Sequence, residues 1–240
     1  EHDLAIATFG RAFYVLDDIR PLREMVKSGV QLLDKLVHLF SPPDAYLTET
    51  QQPTGPRFDA DAVFNGQNRP YGALISFVVN KPKETAGAKI NDTKKSTTAK
   101  SPEVKYDSTT LEIFNASGKL IRTLKQKAPE DNGLNRMTWG LNEKGVREPS
   151  RDKAPANAAE IGGINVLPGV YKIRITFGDK KDSTRITVKD DPRLNTPLST
   201  VEARYTMLRD LDGLTTVVTT ATDRLRESKD IAEELENKMK

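Results

Sequence analysis

The stretch PGVYKIRITFGDKKDSTRITVKDD, Pro168 to Asp191, alternates so strictly that it leaves little choice of local fold. Tyr171, Ile173, Ile175 and Phe177 recur at every second residue, with Lys172, Arg174 and Thr176 between them. Successive side chains of an extended chain point to opposite faces, so this pattern predicts a strand with one apolar and one wet face. Gly178-Asp179 supplies a turn, and Ile186 and Val188 return to the core on the way back.

Other segments carry the same period. TTLEIFNASGKLIRTL reads as a hairpin whose turn, Asn115-Ala116-Ser117-Gly118, holds two residue types that tolerate positive φ. GLNRMTWGL aligns Met137, Trp139 and Leu141, and GALISFVVN places Ala73, Ile75, Phe77 and Val79 on one face. Five or six strands at short spacing, several joined by hairpin turns, predict an antiparallel β-sandwich and a mainly β chain. Trp139 is in phase with Met137 and Leu141, which assigns it to the core; Tyr46, Tyr71 and Tyr106 stand in polar loop contexts.

The chain opens on DLAIATFGRAFYVLDD, which reads as two strands around a Phe9-Gly10 turn, with nothing before it to pair against. A two-stranded hairpin is marginal in water, so this one needs a neighbour. In IRPLREMVK, Pro21 fits the first turn of a helix and Leu22, Met25 and Val26 make an apolar stripe. VQLLDKLVHLF is open between helix and strand until Pro42-Pro43 ends it. Leu47 to Tyr71 reads as a connector with at most an edge strand near Phe58–Phe64. Lys81 to Lys105 has seven lysines against three acids and almost no large apolar residue, which predicts a mobile, solvated loop.

The last segment changes period. Val201, Tyr205 and Leu208, then Leu211 or Leu214, Val218, Leu225, Ala232, Leu235 and Met239 approximate helical spacing. Ser199-Thr200-Val201-Glu202 matches a capping box and Thr196-Pro197 offers another start. Gly213 and the Thr/Val cluster weaken the middle, so a break near Asp212-Gly213 or Ser228 into a helical hairpin is the alternative to one long helix. A single helix here would reach about 60 Å, longer than a small sandwich is wide, and part of it must project or find a partner. Tyr205, Leu208, Val218, Leu225 and Leu235 are the expected partner-docking face.

Composition bounds the chemistry. Of 240 residues 36% are hydrophobic and 30% charged, at a mean hydropathy of -0.57, lean enough that part of the chain must be solvated. A net charge of +3 is too weak a field to attract nucleic acid or a membrane surface, and no apolar run approaches a bilayer span. With no cysteine there is neither a disulfide framework nor a thiol nucleophile. Only His2 and His38 are present, which excludes a histidine-rich metal centre; His38, in an apolar run, reads as packed. GxSxG, HExxH, Walker A and GxGxxG are missing. Asp17-Asp18 and Asp190-Asp191 are neighbours that face opposite ways on a strand, so they read as strand-end and turn residues, not opposed catalytic acids. The expectation is no catalytic residue, no metal site and no cofactor.

DLAIATFGRAFYVLDDIRPLRE resembles the closing strands of the last blade in sortilin-like, BNR-type β-propeller proteins, a secreted or periplasmic bacterial group often labelled glycosyl-hydrolase-like. VHLFSPPDAY and GQNRPYGALISF resemble the exit from that propeller. LEIFNASGKLIRTL, GLNRMTWGL, LPGVYKIRITFG and ITVKDDPRL resemble the immunoglobulin-like domain after it, akin to that of the flagellar hook-capping protein. The C-terminal helix resembles the helical tail of such chains. The resemblance implies a remnant blade and exit segment over 1–50, an Ig-like or fibronectin-type sandwich over 51–192, and a tail over 193–240. It also implies a secreted, periplasmic or cell-surface location and a chain cut from something longer, consistent with a start at EHDLAI that is neither signal peptide nor initiator methionine.

The function this implies is a non-catalytic accessory region that packs on the upstream propeller and presents its helix and hairpin edge to a protein partner or a second copy. Any glycosidase-like activity would belong to the propeller, because the resemblance implies reacting groups that converge from several blades and at most one partial blade is present; the blade repeat S-x-D-x-G-x-T-W is also absent here. The alternative is a carbohydrate-binding module or accessory part of a glycosidase-like enzyme, with a glycan as ligand and the exposed tyrosines as platform.

Overall fold

The computed structural model describes residues 2–10, 13–48, 69–82, 105–156 and 158–239. The edge strand expected near Phe58–Phe64 and nearly all of the lysine-rich loop lie outside the described residues. The fold is mixed: several small sheets, one of them five-stranded, and two helices, the second long and C-terminal.

The alternating segment forms β11 (Gly169–Phe177) and β12 (Lys180–Asp190), paired antiparallel throughout from Gly169 opposite Val188 to Phe177 opposite Lys180. β11 also pairs with β6 (Ser108–Phe114), and β6 with β7 (Leu120–Lys127). The turn between β6 and β7 works differently from the expectation. Gly118 takes a φ of 80°, while Asn115 keeps an ordinary backbone and instead accepts on its side chain from the Ser117 hydroxyl and the Lys119 amide. β4 (Ala45–Leu47) joins the far side of β12 in parallel, completing the sheet in the order β4-β12-β11-β6-β7.

A second sheet, β3 (Val37–Leu39), β5 (Ala73–Val79) and β8 (Gly133–Trp139), is antiparallel in the order β3-β5-β8. One continuous core joins the two sheets. Ile75, Phe77, Trp139, Leu111, Ile173 and Phe177 in it are all fully buried. The Trp139 ring meets Tyr171 edge-on at 5.6 Å and its indole N–H donates to the Asn142 carbonyl at 2.9 Å. Burying the side chains of this core stabilises the fold by roughly 25 cal/mol for each Å² of apolar surface removed from water.

β5 departs from the one-sided expectation: all seven of its residues are buried. Its second face is covered by α1 (Arg20–Ser28) and a 3-10 turn, Val30–Asp34, which build a smaller core of Met25, Leu32, Phe40 and Val78. The α1 stripe is rotated from the expected one. Pro21 and Met25 face inward, whereas Val26 is 86% exposed. The ambiguous run therefore resolves into a 3-10 turn followed by β3. His38 packs edge-on to Phe40 at 4.8 Å, with Nε2 3.2 Å from Glu24 and Nδ1 3.3 Å from Asp182.

β1 (Leu4–Ala7) and β2 (Phe13–Leu16) form the expected hairpin. Among the described residues they pair only with each other, and all eight of their residues are exposed. The hairpin is rooted at Asp18, which is 3% exposed with a φ of 51°. Its amide donates to Asp3, its carbonyl accepts from Arg136 at 2.8 Å, and the Ile19 amide donates to the His2 carbonyl. Asp18 is thus a strand-end residue, but one held inside the body.

Candidate interaction surface

α2 spans Leu198–Met239, 42 residues without a break. The Thr196-Pro197 start is the one used: the Pro197 carbonyl accepts from the amides of Thr200 and Val201. The threonines that weaken the sequence signal are accommodated by back-bonding. Thr215, Thr216, Thr220 and Thr222 each donate their hydroxyl to the carbonyl four residues earlier, which satisfies the side chain without breaking the helix. No described helix is long and apolar enough to cross a membrane.

The helix lies on the body along a polar seam. Glu143, in the short strand β9 (Asn142–Lys144), accepts from the Tyr205 hydroxyl at 2.5 Å and from Arg209 at 2.6 Å. β9 pairs with β10 (Gly162–Asn165), and this small ribbon carries Glu143 toward α2. Further along, Thr219 donates to the Arg147 carbonyl at 2.7 Å, and Asp223 bridges Arg147 and Arg226. These two guanidinium groups hold the Asp223 carboxyl below the usual carboxylate range. Burial, and then the hydrogen bond to Glu143, pushes the Tyr205 phenol up to about 12. α2 contributes no side chain to either hydrophobic core.

This seam divides the predicted docking face. Tyr205 and Leu208 are half-buried against the body, where they line a cleft of about 240 Å³ together with Leu47, Tyr71, Val166 and Leu194. Val218, Leu225 and Leu235 are 53%, 73% and 55% exposed and lie on the other side of the helix. The five do not form one surface.

The outward residues follow a stricter rule than the spacing read from sequence. Met207, Leu211, Leu214, Val218, Ala221 and Leu225 succeed one another at alternating steps of four and three. Ser228, Ala232, Leu235 and Met239 carry the alternation to the end of the helix, and all ten are exposed. That is the heptad pattern of a coiled-coil seam. From Glu227 to Met239 every residue is exposed, so the last turns run on as a spar about 20 Å long.

The three tyrosines considered as a sugar platform are dispersed. Tyr106 packs on Phe177 at 5.3 Å and donates to Asp179, Tyr46 lies 6.0 Å beneath Lys189, and Tyr71 borders the cleft. Asp190 ends β12, and the buried Asp191 carboxylate is clasped by Arg193 at 2.5 Å. Among the described residues no group of three His, Asp or Glu stands together as a metal site. No family model, curated protein or solved structure matches the chain.

Proposed function

We propose that this chain is the accessory, non-catalytic C-terminal region of a larger secreted propeller protein of the sortilin-like type. In this reading an Ig-like sandwich packs on the propeller, β1 and β2 are the last strands of a blade, and α2 serves protein association. The order of the resembling motifs and the solvent-facing hairpin support the propeller assignment. The observation that carries the association role is the outer stripe of α2. A seam of ten exposed positions, apolar at all but Ser228 and about a third of a turn from the polar attachment to the body, has no use within the described residues, and contiguous exposed apolar surface of this kind marks interaction sites.

Methionine oxidation tests it. Met207 and Met239, on the stripe, are 66% and 81% exposed, whereas Met25 and Met137 are both 8% exposed and serve as internal references. In the native full-length protein, dilute peroxide is expected to oxidise Met207 and Met239 more slowly than the same residues in short peptides. Oxidation at the peptide rate overturns the association role.

A further inference from the structure

We infer that the outer stripe of α2 is a self-association seam, and that its occupant is α2 of a second copy of this chain running antiparallel. This rests on the association role proposed above and specifies its partner.

The sizes of the side chains along the stripe select the arrangement. Three of the ten positions are small, Ala221, Ser228 and Ala232. In a parallel pair each core residue meets its own counterpart, so these three would stack small on small and leave three voids, which close-packed interiors do not tolerate. An antiparallel pair centred beside Asp223 mates every small residue with a larger one. Ala221 faces Leu225 of the second copy, Ala232 faces Leu214, and Ser228 faces Val218. At the two ends Leu211 meets Leu235 and Met207 meets Met239, and two-fold symmetry repeats each layer.

The flanks agree. In this register Asp210 stands beside Lys238 of the second copy at both ends, and Val217, 67% exposed, stands beside Ile231, 58% exposed, widening the apolar strip. Lys238 also reaches Glu234 of its own helix at 2.6 Å, so it is shared between two acids. The parallel register instead sets Arg224 beside Lys229, a like-charge contact made twice. The antiparallel register has one cost of its own, Arg224 opposite its own copy at the axis, where the long side chain can turn to water. The body is bonded along the face of Tyr205, Thr219 and Arg226, about a third of a turn from the stripe, with Leu208, Thr215 and Thr222 on the edge between, so the ten seam positions stay exposed.

The absence of cysteine permits a clean test on the whole chain. Single cysteines at Arg224→Cys and Lys238→Cys are treated with a short thiol-specific crosslinker, alongside sedimentation equilibrium of the unmodified chain. The two copies of position 224 are offset by about 3 Å along the helix direction and those of position 238 by about 45 Å. The expected result is a dimer in which Arg224→Cys crosslinks to itself, Lys238→Cys does not, and an Asp210→Cys with Lys238→Cys mixture does. Leu225→Asp, at a position 73% exposed that the fold does not need, is expected to weaken dimerisation roughly 100-fold or more, since it acts in both copies. Self-crosslinking at both single positions overturns the antiparallel register. A monomer at the highest soluble concentration overturns the second copy as occupant, and methionine protection in the full-length protein then decides separately whether the association role survives.

Discussion

Replacing Glu143 by alanine should release α2 from the body while leaving the two sheets intact. Glu143 is 9% exposed and serves two residues of the helix at once, Tyr205 at 2.5 Å and Arg209 at 2.6 Å. A hydrogen bond to a charged acceptor contributes about 1.5–3 kcal/mol net, and the Tyr205 bond, half-buried, keeps most of that. The Arg209 side chain is 45% exposed, so its pair is screened and contributes nearer 0.5–1 kcal/mol. The loss is about 2–3 kcal/mol. Because α2 gives nothing to either core, the loss should appear as local opening of the helix and not as global unfolding. Native-state amide exchange in dilute protein reads this directly. Amides of Val201–Arg226 should exchange roughly 30- to 150-fold faster, at about 1.4 kcal/mol per decade, with those of β11 and β12 unchanged. Glu143→Gln, which keeps an acceptor for Tyr205, should show a smaller change. Unchanged helix exchange, or an equal loss of protection in β11 and β12, would refute the polar seam as the attachment.

Trp139→Ala should cost about 3–5 kcal/mol in denaturant unfolding, since a fully buried indole leaves a cavity between the sheets and strips the Asn142 carbonyl of its donor. Gly72→Ala should destabilise by more than about 2 kcal/mol: at a φ of 118° an added Cβ would come within 2.2 Å of the Trp139 carbonyl oxygen, a backbone atom that cannot swing aside. Tyr171, whose hydroxyl donates to the Leu167 carbonyl at 2.6 Å, is pushed up to about 12 by burial from the ordinary 10.0. A raised phenol stabilises the fold fully below pH 10, and the unfolded chain ionises first above it. Stability should therefore fall by about 3 kcal/mol as pH climbs from about 10 to about 12, and Tyr171→Phe should remove that share of the loss in alkaline denaturation curves.

The sheets were legible because burial on one face writes a period of two into the chain, and Tyr171, Ile173, Ile175 and Phe177 are all inward as read. β5 was half-legible: Ile75 and Phe77 revealed one face, but Leu74 and Val78 were themselves the sign of a second, covered by α1 and its following turn. The parallel pairing of β4 with β12 left no local trace, since a three-residue strand is too short to show a period. The helix misled for a physical reason. Its contact with the body is apolar only at Val201, Tyr205 and Leu208, and continues through Asp212, Thr215 and Thr219, so the apolar count drifts onto the outer face after Leu208. Glu143 and Arg147, the anchors of that contact, lie in a polar stretch after Leu141, and polar attachment has no periodic signature.

The bracket at Asp18 fixes a bearing. The left-handed Asp18 closes the base of the hairpin through Asp3 and is tied to the body by Arg136, and these two bonds set the direction in which the hairpin leaves the rest of the molecule. Any larger assembly grown from those two strands inherits that heading, and Arg136→Ala, which removes the bond from the body, is expected to loosen it.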